Sequence, residues 1–312
     1  MADVPTGGAV QATAPRPRRR RRVRQEHVLA YGFLLPAALV MVALIGYPLV
    51  KIGDLSLRVG RTMNFARIGL LPLGDDNYLR VATDPAFWHS VAVSAAYVFA
   101  SIGSAFLIGL GTALLLNRRM PGRRILRTLL LIPWAVPGVV ASIVFLWMLD
   151  GSFGIVNAGL RLVGVEGPAW FIQQNTALAA VTLPTIWKSY PLITLVVLAA
   201  MQSIPAELYE AARLDGAGAL AEFRHVTWPG VQGAATLGVL VSALAVFRDV
   251  DVIYTTTRGG PSRVTETLSL FVYNEGFQFF RMGAAAAAGV LMVVVALLAS
   301  LLAVRVIRHE KF

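Results

Sequence analysis

The sequence predicts an all-α, polytopic membrane protein of six transmembrane helices with one projecting cytoplasmic loop. Of its 312 residues, 56% are hydrophobic and only 14% charged, whereas soluble domains carry about 25% charged residues. Six apolar runs reach the roughly 20 residues that a helix needs to cross a bilayer core of about 30 Å. Between the fourth and fifth runs lies a short charged insert, EAARLDGAGALAEFRHVTWPG, beginning at Glu210.

The chain opens on a basic arm, residues 1–27. Seven arginines between Arg16 and Arg24, offset by Asp3, supply +6 of the formal charge of +11. Rich in Pro and Arg and without apolar periodicity, the arm is expected to be disordered. No aromatic residue interleaves with the arginines to stack on bases, so nucleic acid is not expected as a partner. The arm reads as a topology signal that also meets anionic lipid. The apolar run after it is longer than a signal-peptide core and lacks a small-residue cleavage site, which predicts a retained span. With no cysteine in the chain, disulfides, thiolate catalysis and Cys-based metal sites are excluded.

The transmembrane domain is expected over 28–307, with spans near 28–50, 91–116, 126–149, 176–201, 231–257 and 282–307, and a tail at 308–312. Seventeen Lys and Arg fall on the side of the arm, the 117–125 loop with Arg127 just beyond it, the 202–230 loop and the tail with Arg305 just before it, against nine on the other side. The positive-inside rule therefore places both termini and the charged insert in the cytoplasm. Pro133 and Pro137 in the third run, and Pro184 and Pro191 in the fourth, predict kinked helices around a path, because each removes a backbone donor.

Within the insert, Ser203, Ile204 and Pro205 form a helix start with Glu207 in the first turn. Gly216 is expected to end the helix after about ten residues, at positive φ. Leu208, Ala211, Ala212 and Asp215 share one face, lowered by the alanines. A second short helix from about Gly218, presenting Leu220, Phe223 and Thr227, is expected before Trp228 and Pro229 lead into the next span. The shape is a helix, a sharp turn and a helix, suited to being gripped by another protein.

These residues resemble a known family. E-A-A, three residues, G, nine residues, V-x-W-P is similar to the EAA loop of binding-protein-dependent ABC importer permeases, with Trp228 where Leu is usual. IYTTTRGGPSRVTETLSLFVYNEGF resembles the segment before the last span of the carbohydrate-type, maltose and glycerol-phosphate permeases. AFWHSVAVSAAYV and LLLIPWAVPGVVASIVFLWML resemble their second and third spans. The resemblance implies that the 202–230 loop seats in a groove of a cytoplasmic ATPase and transmits its motion. The coupling contact falls to Glu210, Ala211, Ala212, Asp215 and Gly216. Implied partners are a homologous second permease, a dimeric P-loop ATPase and an extracytoplasmic solute-binding protein, in a bacterial or archaeal cytoplasmic membrane. The implied job is import of a sugar or sugar-like solute.

The residues agree that the chain is no enzyme. Its only lysines are Lys51, Lys188 and Lys311, and none follows the glycine frame of a phosphate-binding loop; ATP and Mg are expected on the partner, and no cofactor here. The four histidines have no metal-ligand spacing, and no nucleophile elbow is present.

Charge inside a span costs about 2.5–3.5 kcal/mol on insertion scales and asks for a reason. Lys188 lies mid-span in a stripe with Thr185, Ser189 and Leu192 at i, i+3, i+4, i+7 spacing. Near the end of the fifth run come Arg248, Asp249 and Asp251; Arg248 and Asp251 are placed to pair across one helical face. Either Lys188 and Asp249 neutralise one another, or they line the solute path together with Arg248. The resemblance adds Trp134 to that path. It also departs from the amide-rich maltose pattern at Arg248 and Asp249, which leaves an anionic glycerol-phosphate-type solute open. Other classes are an ion-coupled secondary transporter using Lys188 and Asp249, and a membrane scaffold that transports nothing.

Overall fold

The computed structural model describes residues 32–60, 69–118 and 120–309. The basic arm and the first residues of the expected first span lie outside them. The chain divides between Ile52 and Gly53 into two compact units. Helix α1, Gly32–Ser56, accounts for the described residues of the first and ends just past the division; its ladder widens through a π turn at Val42–Gly46.

The second unit carries the rest. After a short amphipathic helix α2, Asp76–Thr83, comes α3, Pro85–Asn117. Asp84 starts α3 by accepting the Ala86 N–H at 2.8 Å, and proline stands in the first turn, where its missing donor costs nothing. There follow α4, Arg123–Leu130, α5, Ile132–Ala135, α6, Gly138–Met148, and α7, Ile155–Leu162. The long α8, Gln174–Gln202, leads to α9, Ala206–Leu214, and α10, Ala219–Phe247. The short α11, Asp251–Thr256, and α12, Leu268–Tyr273, precede the final α13, Met282–His309.

Among the described residues, α1, α3, α8, α10 and α13 are long and apolar enough to cross a membrane, and a sixth crossing needs α4, α5 and α6 together, bent by 95°. Thus the third run does not form a kinked helix; it breaks. Val136 is extended, at φ −71 and ψ 130, the conformation favoured before a proline because Pro Cδ crowds the preceding backbone. The fourth run behaves otherwise: α8 stays helical through Pro184 and Pro191.

The core forms where α3 packs along α8 and α8 along α10. Ala105 and Ala113 of α3, Val181, Ile193 and Val197 of α8, and Val231 and Ala235 of α10 are buried in one cluster. Small residues let the helices approach, which matters in lipid, where association rests on close packing more than on leaving water. One polar contact lies inside: Tyr97 Oη and Thr185 Oγ1 are 2.5 Å apart. A second cluster joins α2 and α3 to α12 and α13 through Val81, Phe87, Phe271 and Ala288.

The segment resembling the carbohydrate-type permeases folds around a buried carboxylate. Glu266, 4% exposed, accepts from Arg263 Nε at 2.5 Å and from Asn274 Nδ2 at 2.9 Å. Its position holds a turn in which Arg258 and Arg263 take φ 53 and 65.

Candidate functional site

The first site grows from a break in the fifth run. A helix was expected to 257, but α10 ends at Phe247 and α11 begins at Asp251. The Asp249 carboxylate accepts the Asp251 N–H at 3.0 Å, so a side chain competes with the helical ladder for the donor. The face that would have set Arg248 against Asp251 does not exist, and that expected pair does not form. Among the described residues, the ion pairs within 4.0 Å involve none of Lys188, Arg248, Asp249 and Asp251.

These four side chains instead line one cavity of about 610 Å³. Trp134 of α5, Thr185, Lys188, Ser189 and Leu192 of α8, and Arg248 and Asp249 of the break all contribute, so the structure brings together every residue that the sequence offered for a path. Local geometry explains how. The stripe on α8 follows from helical spacing, and the break at Val136 and Pro137 ends α5 beside it. Gly138 opens α6 beside both charged groups, where a Cβ would stand in ordinary contact, 3.5 Å from Lys188 Nζ and 3.5 Å from Asp251 Cβ. Tyr97 holds Thr185 from behind.

Sequence reasoning missed Ser242, Ala245 and Val246 on the cavity wall. The signal was present: 242, 245, 246 and 249 share one helical face. It also missed Tyr97, a mid-span phenol that needs a partner when buried. A second cavity of about 440 Å³ includes Asp150, Trp170, Thr256 and Pro261. Helix α11 joins the two, since Asp251 and Val252 line the first and Thr256 the second.

The other site is the helical hairpin at the opposite end of α8 and α10. Helix α9 is nine residues long with Glu207 in its first turn, and Gly216 takes φ 81, both as the sequence predicts. The Ala217 N–H reaches Ala212 O at 2.9 Å and the Gly216 N–H reaches Arg213 O at 3.0 Å, the paired bonds of a Schellman ending. Glu210, Ala211 and Asp215 are exposed, and so are Leu208, Leu214 and Leu220. The second short helix is not separate. From Ala219 it passes through a π turn at Phe223–Thr227 and continues into the span. The proline that would end a regular helix, Pro229, sits just past that widened turn, where the ladder is already irregular. Trp228 packs edge-on against Phe106 of α3, ring centroids 6.3 Å apart.

Across the hairpin, Arg213 Nε donates to Glu222 Oε1 at 2.7 Å, and the Tyr209 and Thr227 hydroxyls meet at 3.1 Å. The hydrogen bond from Arg213 holds the Glu222 carboxyl below its ordinary value of 4.5 and raises the guanidinium in turn. A lowered carboxylate pKa means that the bridge contributes fully above the unfolded value and is lost as pH falls through the folded one. Amide exchange of 206–227, corrected for intrinsic rates, is therefore expected to be flat from about pH 8 to 5 and to rise only below the ordinary carboxylate range. Glu222→Gln is expected to give the raised level at every pH.

Spanning helices, a polar cavity among them and an exposed hairpin beyond them are the features of a membrane transport component. Residues 105–311 match the family described as binding-protein-dependent transport system inner membrane component, and the protein belongs to it. It is 32% identical to the sulfoquinovosyl glycerol transport system permease protein SmoG of Agrobacterium fabrum, over 91% of this chain and 92% of that one. It is 34% identical to the trehalose/maltose transport system permease protein MalF of Thermococcus litoralis, over 80% and 84%. The fold matches a bacterial ABC transporter involved in the import of the acidic polysaccharide alginate, with a TM-score of 0.78 at 22% identity, over 94% of this chain and all of that one. The chain is thus a permease subunit, and ATP hydrolysis belongs to a partner. That membership sets aside the ion-coupled and scaffold readings.

Proposed function

We propose that this chain is one permease of an ATP-driven importer of a sugar or sugar-like solute, working with a second permease, two copies of an ATPase and an extracytoplasmic binding protein. The observation that carries the solute reading is the cavity, where Lys188, Arg248, Asp249, Thr185, Ser189 and Trp134 converge. Sugar hydroxyls suit the charged and hydroxyl groups, and an apolar ring face suits the indole. The names of the relatives, a sulfoquinovosyl glycerol and a trehalose/maltose permease, favour the same class; two cations in the wall also accommodate an acidic substituent.

The hairpin α9 to α10 is the coupling element, with Glu210, Ala211, Ala212, Asp215 and Gly216 against the ATPase. Small side chains and exposed leucines outside the bilayer form a surface that asks for a partner. Six crossings, counting α4 to α6 as one, put both termini on one side, and the Lys and Arg distribution puts that side and the hairpin in the cytoplasm. The solute then enters by the cavity at Trp170 and passes along α11 to the cavity at Lys188. The test is purification and reconstitution: the chain is expected to copurify with a P-loop ATPase, to hydrolyse no ATP alone, and to support uptake that stops without internal ATP. Uptake driven by an ion gradient in ATP-free vesicles would overturn the proposal.

A further inference from the structure

Helix α4 has a second character that transport does not use. Arg123, Arg124 and Arg127 occupy one arc of it, while Ile125, Leu126 and Leu129 occupy the opposite arc and are exposed. At the cytoplasmic start of the third crossing, such a helix sets its arginines at headgroup level and its apolar arc toward acyl chains. Its polar edge abuts the last turn of α8: the Gln202 amide oxygen, turned toward the donors around it, accepts from Arg123 Nη2 at 2.9 Å and from Arg127 Nη2. Gln202 is the residue from which the chain turns into the hairpin.

This cluster is short of anions. No carboxylate among the described residues comes within 4.0 Å of the three arginines. The Nε–H of Arg123 and that of Arg127 are buried and meet no acceptor. The first turn of α4 holds no acid and no side-chain cap, although a helix start favours negative charge. One neutral amide oxygen cannot satisfy two guanidiniums, each with five donors. A phosphate can, because its oxygens match the guanidinium fork.

We propose that Arg123, Arg127 and Gln202 bind the phosphate of an anionic phospholipid, with its acyl chains along Ile125 and Leu129. Free phosphate shares the headgroup chemistry, but only a lipid also uses the exposed apolar arc beside the arginines. The bound headgroup ties α4 to the end of α8, at the root of the hairpin.

The inference is independent of solute identity and is tested by binding alone. The full chain, purified in detergent, is titrated with phosphatidylglycerol and with phosphatidylcholine and read by native mass spectrometry. Phosphatidylglycerol is expected to be retained preferentially, and Arg123→Gln with Arg127→Gln to weaken that retention about tenfold or more. Arg80→Gln with Arg161→Gln removes the same charge elsewhere and is expected to leave it unchanged. Equal retention of the two lipids, or an unaltered preference in the Arg123/Arg127 variant, would overturn the proposal; so would displacement of the lipid by millimolar inorganic phosphate. A photoactivatable phosphatidylglycerol on the unmutated chain guards against a misfolded variant. Crosslinks are expected at 123–130 and 200–204, and crosslinks only elsewhere would refute the site.

Discussion

Gly216→Val is expected to uncouple the transporter: solute-stimulated ATP hydrolysis and uptake should both fall about tenfold or more, while the amount of inserted chain stays unchanged. Gly216 sits at φ 81, a region that costs an L-residue roughly 1–2 kcal/mol and a β-branched one more; each 1.4 kcal/mol is about tenfold. The alternative open to valine is to leave that region, which breaks the bonds from Ala217 to Ala212 and from Gly216 to Arg213. Helix α9 then ends elsewhere and the hairpin points away from its partner. Nine residues of helix have little stability alone to resist this. Space is not the difficulty, since a Cβ at Gly216 meets nothing within 4 Å. Gly216→Ala, lacking the β-branch, should therefore lose less, and Gly216→Asn, which tolerates the left-handed region, less still. Glu210→Ala, exposed and without a role in the turn, should impair coupling with less loss of assembly. Wild-type hydrolysis, uptake and copurification in Gly216→Val would reduce the hairpin to a linker.

The second large effect is expected at the cavity. Lys188→Met and Asp249→Asn should each lower uptake about tenfold or more, and the double variant should not recover it. Had the two charges formed a buried pair, removing one would strand the other at about 3–5 kcal/mol, and removing both would restore folding and transport. The structure gives neither group an ion-pair partner within 4.0 Å among the described residues. Both line a cavity of about 610 Å³. Each single variant should therefore fold, with its melting temperature close to that of the parent, and the loss should appear in transport. Asp249→Asn keeps an oxygen for the Asp251 N–H, so the break after α10 survives it and the experiment reads the charge alone. Normal uptake in the double variant would show the charges to be a mutual neutralisation and nothing more.

The difference between what hydropathy foretold and what folded lies in the backbone. Long apolar runs located α3, α8, α10 and α13, because lipid demands a fixed length of apolar helix whatever the detail. The ending of α9 was legible because a Schellman turn needs a residue that tolerates positive φ, and the sequence offers Gly216 there. Breaks were less legible. Pro137 and Pro191 look alike in a hydropathy profile, yet one follows an extended Val136 and the other sits in unbroken helix; that outcome is decided by neighbours. The end of α10 turned on one carboxylate taking one amide, which changed the register of Arg248 and Asp251 and dissolved their expected pair. The path residues on α8 were readable from helical spacing. Tyr97 escaped because an isolated hydroxyl in an apolar run carries no pattern; Ser242 shares a face with Asp249, but the residues between them on that face are apolar. Glu266 and the Arg213–Glu222 bridge escaped because their partners are set by turns.

The central claim is that solute passes through the cavity at Lys188 and that the ATPase controls access to it. The chain holds no cysteine, so Ser189→Cys places a single thiol in the cavity wall of an otherwise unreactive chain. Its rate of alkylation by a small polar maleimide can be followed in the complete reconstituted transporter. The rate is expected to fall when the transported solute is present with its binding protein, and to change again when the ATPase is trapped with ATP and vanadate. A rate that answers to neither solute nor nucleotide, in a complex that is transporting, would place the path elsewhere and contradict the account.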